Sequence, residues 1–122
     1  MSDLIRMQDA DGRGPWKPGF SIVWTDPHGP QLPAPVTSAI PNFRSFVMGL
    51  HRKGLNIGCA VRQRNVSKWF TPAEVAKLAE LGYHWHDASR CDVVWENEDQ
   101  ALIATRVNLR KLPRLDLDGV SP

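Results

Sequence analysis

Prolines divide this chain into parts that can and cannot build regular structure. Five of the ten fall between Thr25 and Pro41, whereas Pro72 is the sole proline from Asn42 to Leu112. A proline fixes its own φ and has no amide hydrogen for a helix or a strand ladder. Residues 25–41 are therefore expected to form an extended Pro-rich loop over the surface, suited to a lid or a binding loop. Regular elements are expected mainly after Pro41.

Residues 3–8, DLIRMQ, alternate weakly and read as a first strand. The stretch DADGRGPWKPGFSIVW follows, and its Gly12 and Gly14 admit positive φ for a turn before Pro15. Glycines of this kind can cradle phosphate, but the lysine and hydroxyl residue of a P-loop and the Gly-x-Gly-x-x-Gly of a dinucleotide turn are both missing. Trp16, Phe20 and Trp24 recur every four residues, yet Pro18 and Gly19 oppose a helix there; they are expected to pin a rigid turn to the core.

The first helix is expected over NFRSFVMGLHRKG. Asn42 suits the N-cap, Phe43, Phe46, Val47 and Leu50 share one face, and Gly54 suits the C′ position. His51, Arg52 and Lys53 fall in its last turn, where the helix dipole favours cations. LNIGCAV reads as a buried strand, and Asn65 or Ser67 as the cap of a short turn holding Trp69 and Phe70. TPAE then opens a second main helix, with a Thr71–Glu74 capping box and Pro72 at its first position. Its buried side is assigned to Val75, Leu78 and Leu81, and Gly82 ends it. YHWHDAS reads as a strand, and CDVVW and QALIATR as a hairpin closed by a loop of about four residues. Residues 107–122 form a C-terminal arm or tail, expected to fray after about Leu117.

The expected fold class is α+β: a small, mostly antiparallel sheet with two main helices and long Pro/Gly-rich loops. At 122 residues one domain is the expectation, and 42% hydrophobic content with five tryptophans supplies its core. The N-terminus has no basic start followed by an apolar run, and no apolar stretch approaches the roughly 18 to 20 residues of a membrane span. A cytoplasmic protein is expected, with Cys59 and Cys91 reduced and serving as small buried residues.

The net charge of +2 conceals a strong segregation. No acidic residue lies between Asp26 and Glu74, where Arg44, Arg52, Lys53, Arg62, Arg64 and Lys68 all fall. Residues 74–105 are biased the other way, with Glu74, Glu80, Asp87, Asp92, Glu96, Glu98 and Asp99 against Lys77 and Arg90. A basic face for a partner and an acidic face are expected, unless folding neutralises one against the other.

Specific chemistry is sparse. His84 and His86 lie two apart on a strand and share a face, with Cys59, Cys91 or Asp87 as further ligands in principle. Two ligands do not make a site, so no metal is expected; Tyr83 and Trp85 are assigned to the core face and both histidines to the outside. Glu96 and Glu98 can project together from the hairpin tip, as a general base or a ribose holder. Arg62, Arg64 and Lys68 beside Trp69 and Phe70 could contact phosphates and bases, but no reader motif accompanies them.

Four stretches, LIRMQDADGRGPW, GCAVR, WFTPAEVAKLAELGYHW and ENEDQALIATR, together resemble small uncharacterised proteins of bacteriophages and prophages. That resemblance implies an accessory protein that binds and inhibits a bacterial defence protein or ribonucleoprotein complex, in the manner of anti-CRISPR proteins. Arg44, Arg52, Lys53, Arg62, Arg64 and Lys68 would then bind the partner, without a cofactor; a homodimer is left open. More distantly, the order of elements resembles the ADP-ribosyltransferase fold. This implies an alternative: an enzyme with NAD as substrate, in which Arg6 matches the first-strand position and Glu96 or Glu98 the late glutamate. Cys59, Ala60 and Val61 depart from that fold's hydroxyl residues at the middle position.

Overall fold

In a computed structural model of the protein, residues 3–15 and 40–115 are described. The elements are β1 (Leu4–Gln8), α1 (Phe43–Arg52), β2 (Asn56–Arg62), a short α2 (Val66–Trp69), α3 (Pro72–Glu80), β3 (His84–Asp87), β4 (Asp92–Glu96) and β5 (Ala101–Thr105). The strands form one antiparallel five-stranded sheet in the order β3-β1-β2-β5-β4. With three helices among the described residues, the fold is α+β. Trp16, Phe20, Trp24, most of the Pro-rich loop and the chain beyond Leu115 lie outside the described residues.

Local sequence explains the helix ends. In α3 the Thr71 hydroxyl accepts from the Glu74 amide at 3.2 Å, while the Glu74 carboxylate accepts from the Thr71 amide at 2.8 Å. Two amides at that end, those of Thr71 and Glu74, are thereby satisfied. Gly54 and Gly82, with φ of 80° and 90°, stop α1 and α3. Behind each, two amides turn back onto the last turn: Gly54 to His51 and Leu55 to Leu50, Gly82 to Ala79 and Tyr83 to Leu78. Three local expectations need correction. Asn42 is the N-cap residue of α1, as expected, but makes no capping bond through its side chain; it is left-handed, with φ 55°, and its carbonyl accepts from Phe46. Among Gly12 and Gly14 only Gly12 takes a positive φ. Leu81 follows the last turn of α3 and is 52% exposed, leaving Leu78 as that helix's buried anchor.

The sheet is covered on both faces, which is why every residue of β1 is buried. Ile5 and Met7 pack with Val61, Trp69, Phe70, Leu78, Tyr83 and Trp85. The Phe70 and Trp85 rings meet at 5.8 Å and a tilt of 57°. Farther along, Phe43 and Phe46 of α1 pack with Ile57, Leu102 and Trp95. Leu4 alternates to the opposite side and packs with Ala60, Ala88, Cys91, Ala101 and Ile103, roofed by Leu109 and Leu112 of the C-terminal arm. The hairpin loop is Asn97 to Gln100, four residues as expected, and β4 carries an irregularity between Val93 and Trp95.

The arm also closes an edge of the sheet. The Asp87 amide donates to the Pro113 carbonyl at 2.7 Å, and the Leu115 amide to the Trp85 carbonyl at 2.9 Å. Arg114 thus bridges His86 beyond β3, shielding a strand edge that would otherwise invite foreign pairing.

Candidate functional site

Folding brings several of the opposite charges together. Arg62, at the end of β2, meets Glu96 at the end of β4 through Nε–Oε2 and Nη2–Oε1 hydrogen bonds of 2.8 and 2.9 Å. Arg62 also reaches Asp3 at 3.4 Å, Arg64 lies 3.7 Å from the same carboxylate, and Lys68 pairs with Asp99 at 3.2 Å. The hydrogen bonds that Arg62 donates hold the Glu96 carboxyl below its ordinary range, and the same bonds push the guanidinium pKa up. Three of the six cations expected to bind a partner, and one of the two candidate glutamates, are therefore engaged within the chain. The Glu98 side chain is exposed at the hairpin tip; its backbone carbonyl accepts from Asn65.

The other three cations stand differently. Arg44, Arg52 and Lys53 are exposed and have no carboxylate partner among the described residues. Arg44, Met48 and Arg52 recur every four residues and so share the outer side of α1, with Met48 44% exposed between the two arginines. At the C-terminal end of this stripe Arg106 donates to the Lys53 carbonyl at 3.2 Å, adding a fourth cation that sequence reading did not single out. His51 is exposed beside them, its Nδ1 3.1 Å from the Leu55 carbonyl.

Arg6 is a different kind of site. It is 6% exposed. Its Nε donates to Gln8 Oε1 at 2.9 Å, Nη1 to the Cys59 carbonyl at 2.8 Å and Nη2 to the Gly12 carbonyl at 3.0 Å. Gln8 in turn donates to the Leu109 carbonyl at 2.7 Å, tying the cluster to the arm. The guanidinium fits because β1 and β2 part after the Ile5–Val61 pair, while β1 remains paired with β3 as far as Gln8. It also fits because residue 58 is glycine, for a Cβ there would lie 2.7 Å from Nη1. Among the described residues no carboxylate forms an ion pair with Arg6, and burial pulls its pKa down. The seam opens onto a cavity of about 280 Å³ lined by Arg6, Phe43, Val47, His51, Cys59 and Leu102, among others. Burial pushes the Cys59 thiol up, with Arg6 opposing, so Cys59 is not an activated nucleophile. Glu96 and Glu98 are not part of this lining. Sequence reading singled out Arg6 and took Gly12 only as a turn residue; it did not single out Gln8 or Gly58, and all three hold or accommodate the guanidinium.

The expectation of two outward histidines is corrected. His86 is 8% exposed, opposite Arg6 in register, and its Nδ1 lies 2.8 Å from the His84 carbonyl. The covering arm makes that face an interior one, and burial lowers the His86 pKa. Cys91 is buried and Cys59 half-buried, both as free thiols. Among the described residues no three His, Cys, Asp or Glu side chains cluster as a metal site would need.

No family model matches the chain, and no curated protein or solved structure shows significant similarity to it. Among the described residues no helix is long and apolar enough to cross a membrane.

Proposed function

We propose that the protein is a binding protein whose α1 docks an acidic face of a bacterial host protein or ribonucleoprotein, and that this docking inhibits a host defence function. The observation that carries the reading is the unequal use of its cations. Arg62, Arg64 and Lys68 pair with Asp3, Glu96 and Asp99, whereas Arg44 and Arg52, which flank exposed Met48 along α1, and Lys53 and Arg106 at the C-terminal end of that stripe have no carboxylate partner among the described residues. A row of cations flanking an exposed apolar side chain offers steering from the charges and desolvation at the apolar contact. The resemblance to phage and prophage proteins supplies the partner class. Host-lysate capture, followed by binding to the purified captured component, tests the reading. Arg44→Glu/Arg52→Glu/Lys53→Glu is expected to abolish binding, and Lys68→Ala to preserve it.

A further inference from the structure

A second cavity, of about 440 Å³, lies on the other side of the sheet from α1, between the β3–β4 connection, the end of β5 and the C-terminal arm. Arg90, Cys91, Thr105, Lys111, Leu112 and Pro113 contribute to its walls. These walls are fixed by hydrogen bonds. The Ala88 amide donates to Leu4, the Asp87 amide to Pro113, and the Leu112 amide to Leu109. The cavity is thus preformed, and its volume is in the range of small-molecule sites.

Its chemistry is divided. Val107, Leu112 and Pro113 supply apolar surface, while Arg90 and Lys111 are exposed cations without an ion-pair partner among the described residues. Among the described residues Asp87 is the one acidic residue in the lining. Its Oδ1 accepts from the Ser89 amide at 2.8 Å, which ties that carboxylate to its own turn, and its attraction to Arg90 falls short of an ion pair. Arg110 and Arg114 stand on the same basic segment as Lys111. An anion approaching this side therefore meets a favourable field and then two side chains able to bind it.

We propose that this cavity binds a compact organic oxyanion, with Arg90 and Lys111 holding the charged head and Val107, Leu112 and Pro113 covering an apolar body. The site is independent of the α1 stripe, and its occupant is small. Phenyl phosphate and benzoate serve as probes, because they share the body and differ in the head.

The test is titration of the full chain followed by amide NMR shifts. Saturable shifts confined to Asp87–Cys91 and Thr105–Leu112 are expected for at least one probe, and the tighter probe identifies the head group. Arg90→Ala/Lys111→Ala should weaken that binding about tenfold or more, equivalent to about 1.4 kcal/mol. Both side chains are exposed, so the variant should keep the wild-type spectrum elsewhere. Arg44→Ala should bind like wild type. Absence of saturation by about 10 mM, a range reaching beyond millimolar affinity, overturns the proposal. So does equal binding of benzyl alcohol, equal binding of inorganic phosphate, or unchanged affinity in the double variant.

Discussion

Gly58 and Arg6 are fitted to one another: a Cβ at residue 58 would stand 2.7 Å from Nη1 and 2.8 Å from Cζ of the buried guanidinium. An arginine tip in solvent would swing aside at little cost. This one is held by Gln8, Cys59 and Gly12, so moving it breaks hydrogen bonds that water cannot replace. Gly58→Ala is expected to destabilise the fold by about 2 kcal/mol or more, measured by urea denaturation. Unchanged stability would show that the guanidinium is not locked.

The α3 capping box offers a smaller and more local effect. Thr71→Ala removes the acceptor for the Glu74 amide and should cost about 1 kcal/mol. Thr71→Ser, which retains the hydroxyl, should recover most of that loss in the same denaturation series.

Acid should weaken the fold through His86. Burial lowers its folded pKa below the ordinary value of 6.5, so the unfolded chain binds the proton more readily. Stability from this source is complete above 6.5, declines as pH falls below it, and levels off once pH passes the folded value. Arg6 and Arg114 both disfavour the protonated ring. Denaturation midpoints at pH 7.5 and 5.5 should therefore differ less in His86→Gln than in wild type; an equal difference assigns the effect to other groups.

The Arg62–Glu96 contact should be modest in stability despite its two short hydrogen bonds, because both side chains are partly exposed. A double-mutant cycle with Arg62→Met and Glu96→Gln is expected to give a coupling of about 1 kcal/mol or less, reduced by salt. Its carboxylate contribution is present above the ordinary carboxyl range and lost as pH falls through the depressed Glu96 value. A coupling well above this would identify a site more rigid and desolvated than its exposure implies.

What the sequence reveals follows the range of each interaction. The Thr71–Glu74 box, the stops at Gly54 and Gly82 and the four-residue hairpin loop are legible because their partners lie within a few residues. Arg62 and Glu96 are 34 positions apart, and nothing local distinguishes their pairing from two separate charged faces. His86 reads as an outward strand residue until Arg114 and its neighbours close over β3. Arg6 is visible as a charge in an apolar strand. Its setting is not, because it depends on the parting of β1 from β2 and on the absent side chain at Gly58. On α1, Arg44, Met48 and Arg52 are legible as one stripe, but that no described carboxylate pairs with the two arginines emerges only from where Glu96 and Asp99 are spent.

The most direct measurement compares affinity for the purified captured host component between wild type, Arg44→Glu/Arg52→Glu/Lys53→Glu and Lys68→Ala at low and high salt. The expected result is salt-sensitive binding by wild type and Lys68→Ala and loss of at least tenfold in the triple variant, about 1.4 kcal/mol. Wild-type affinity in a correctly folded triple variant would contradict the assignment of α1 as the docking surface.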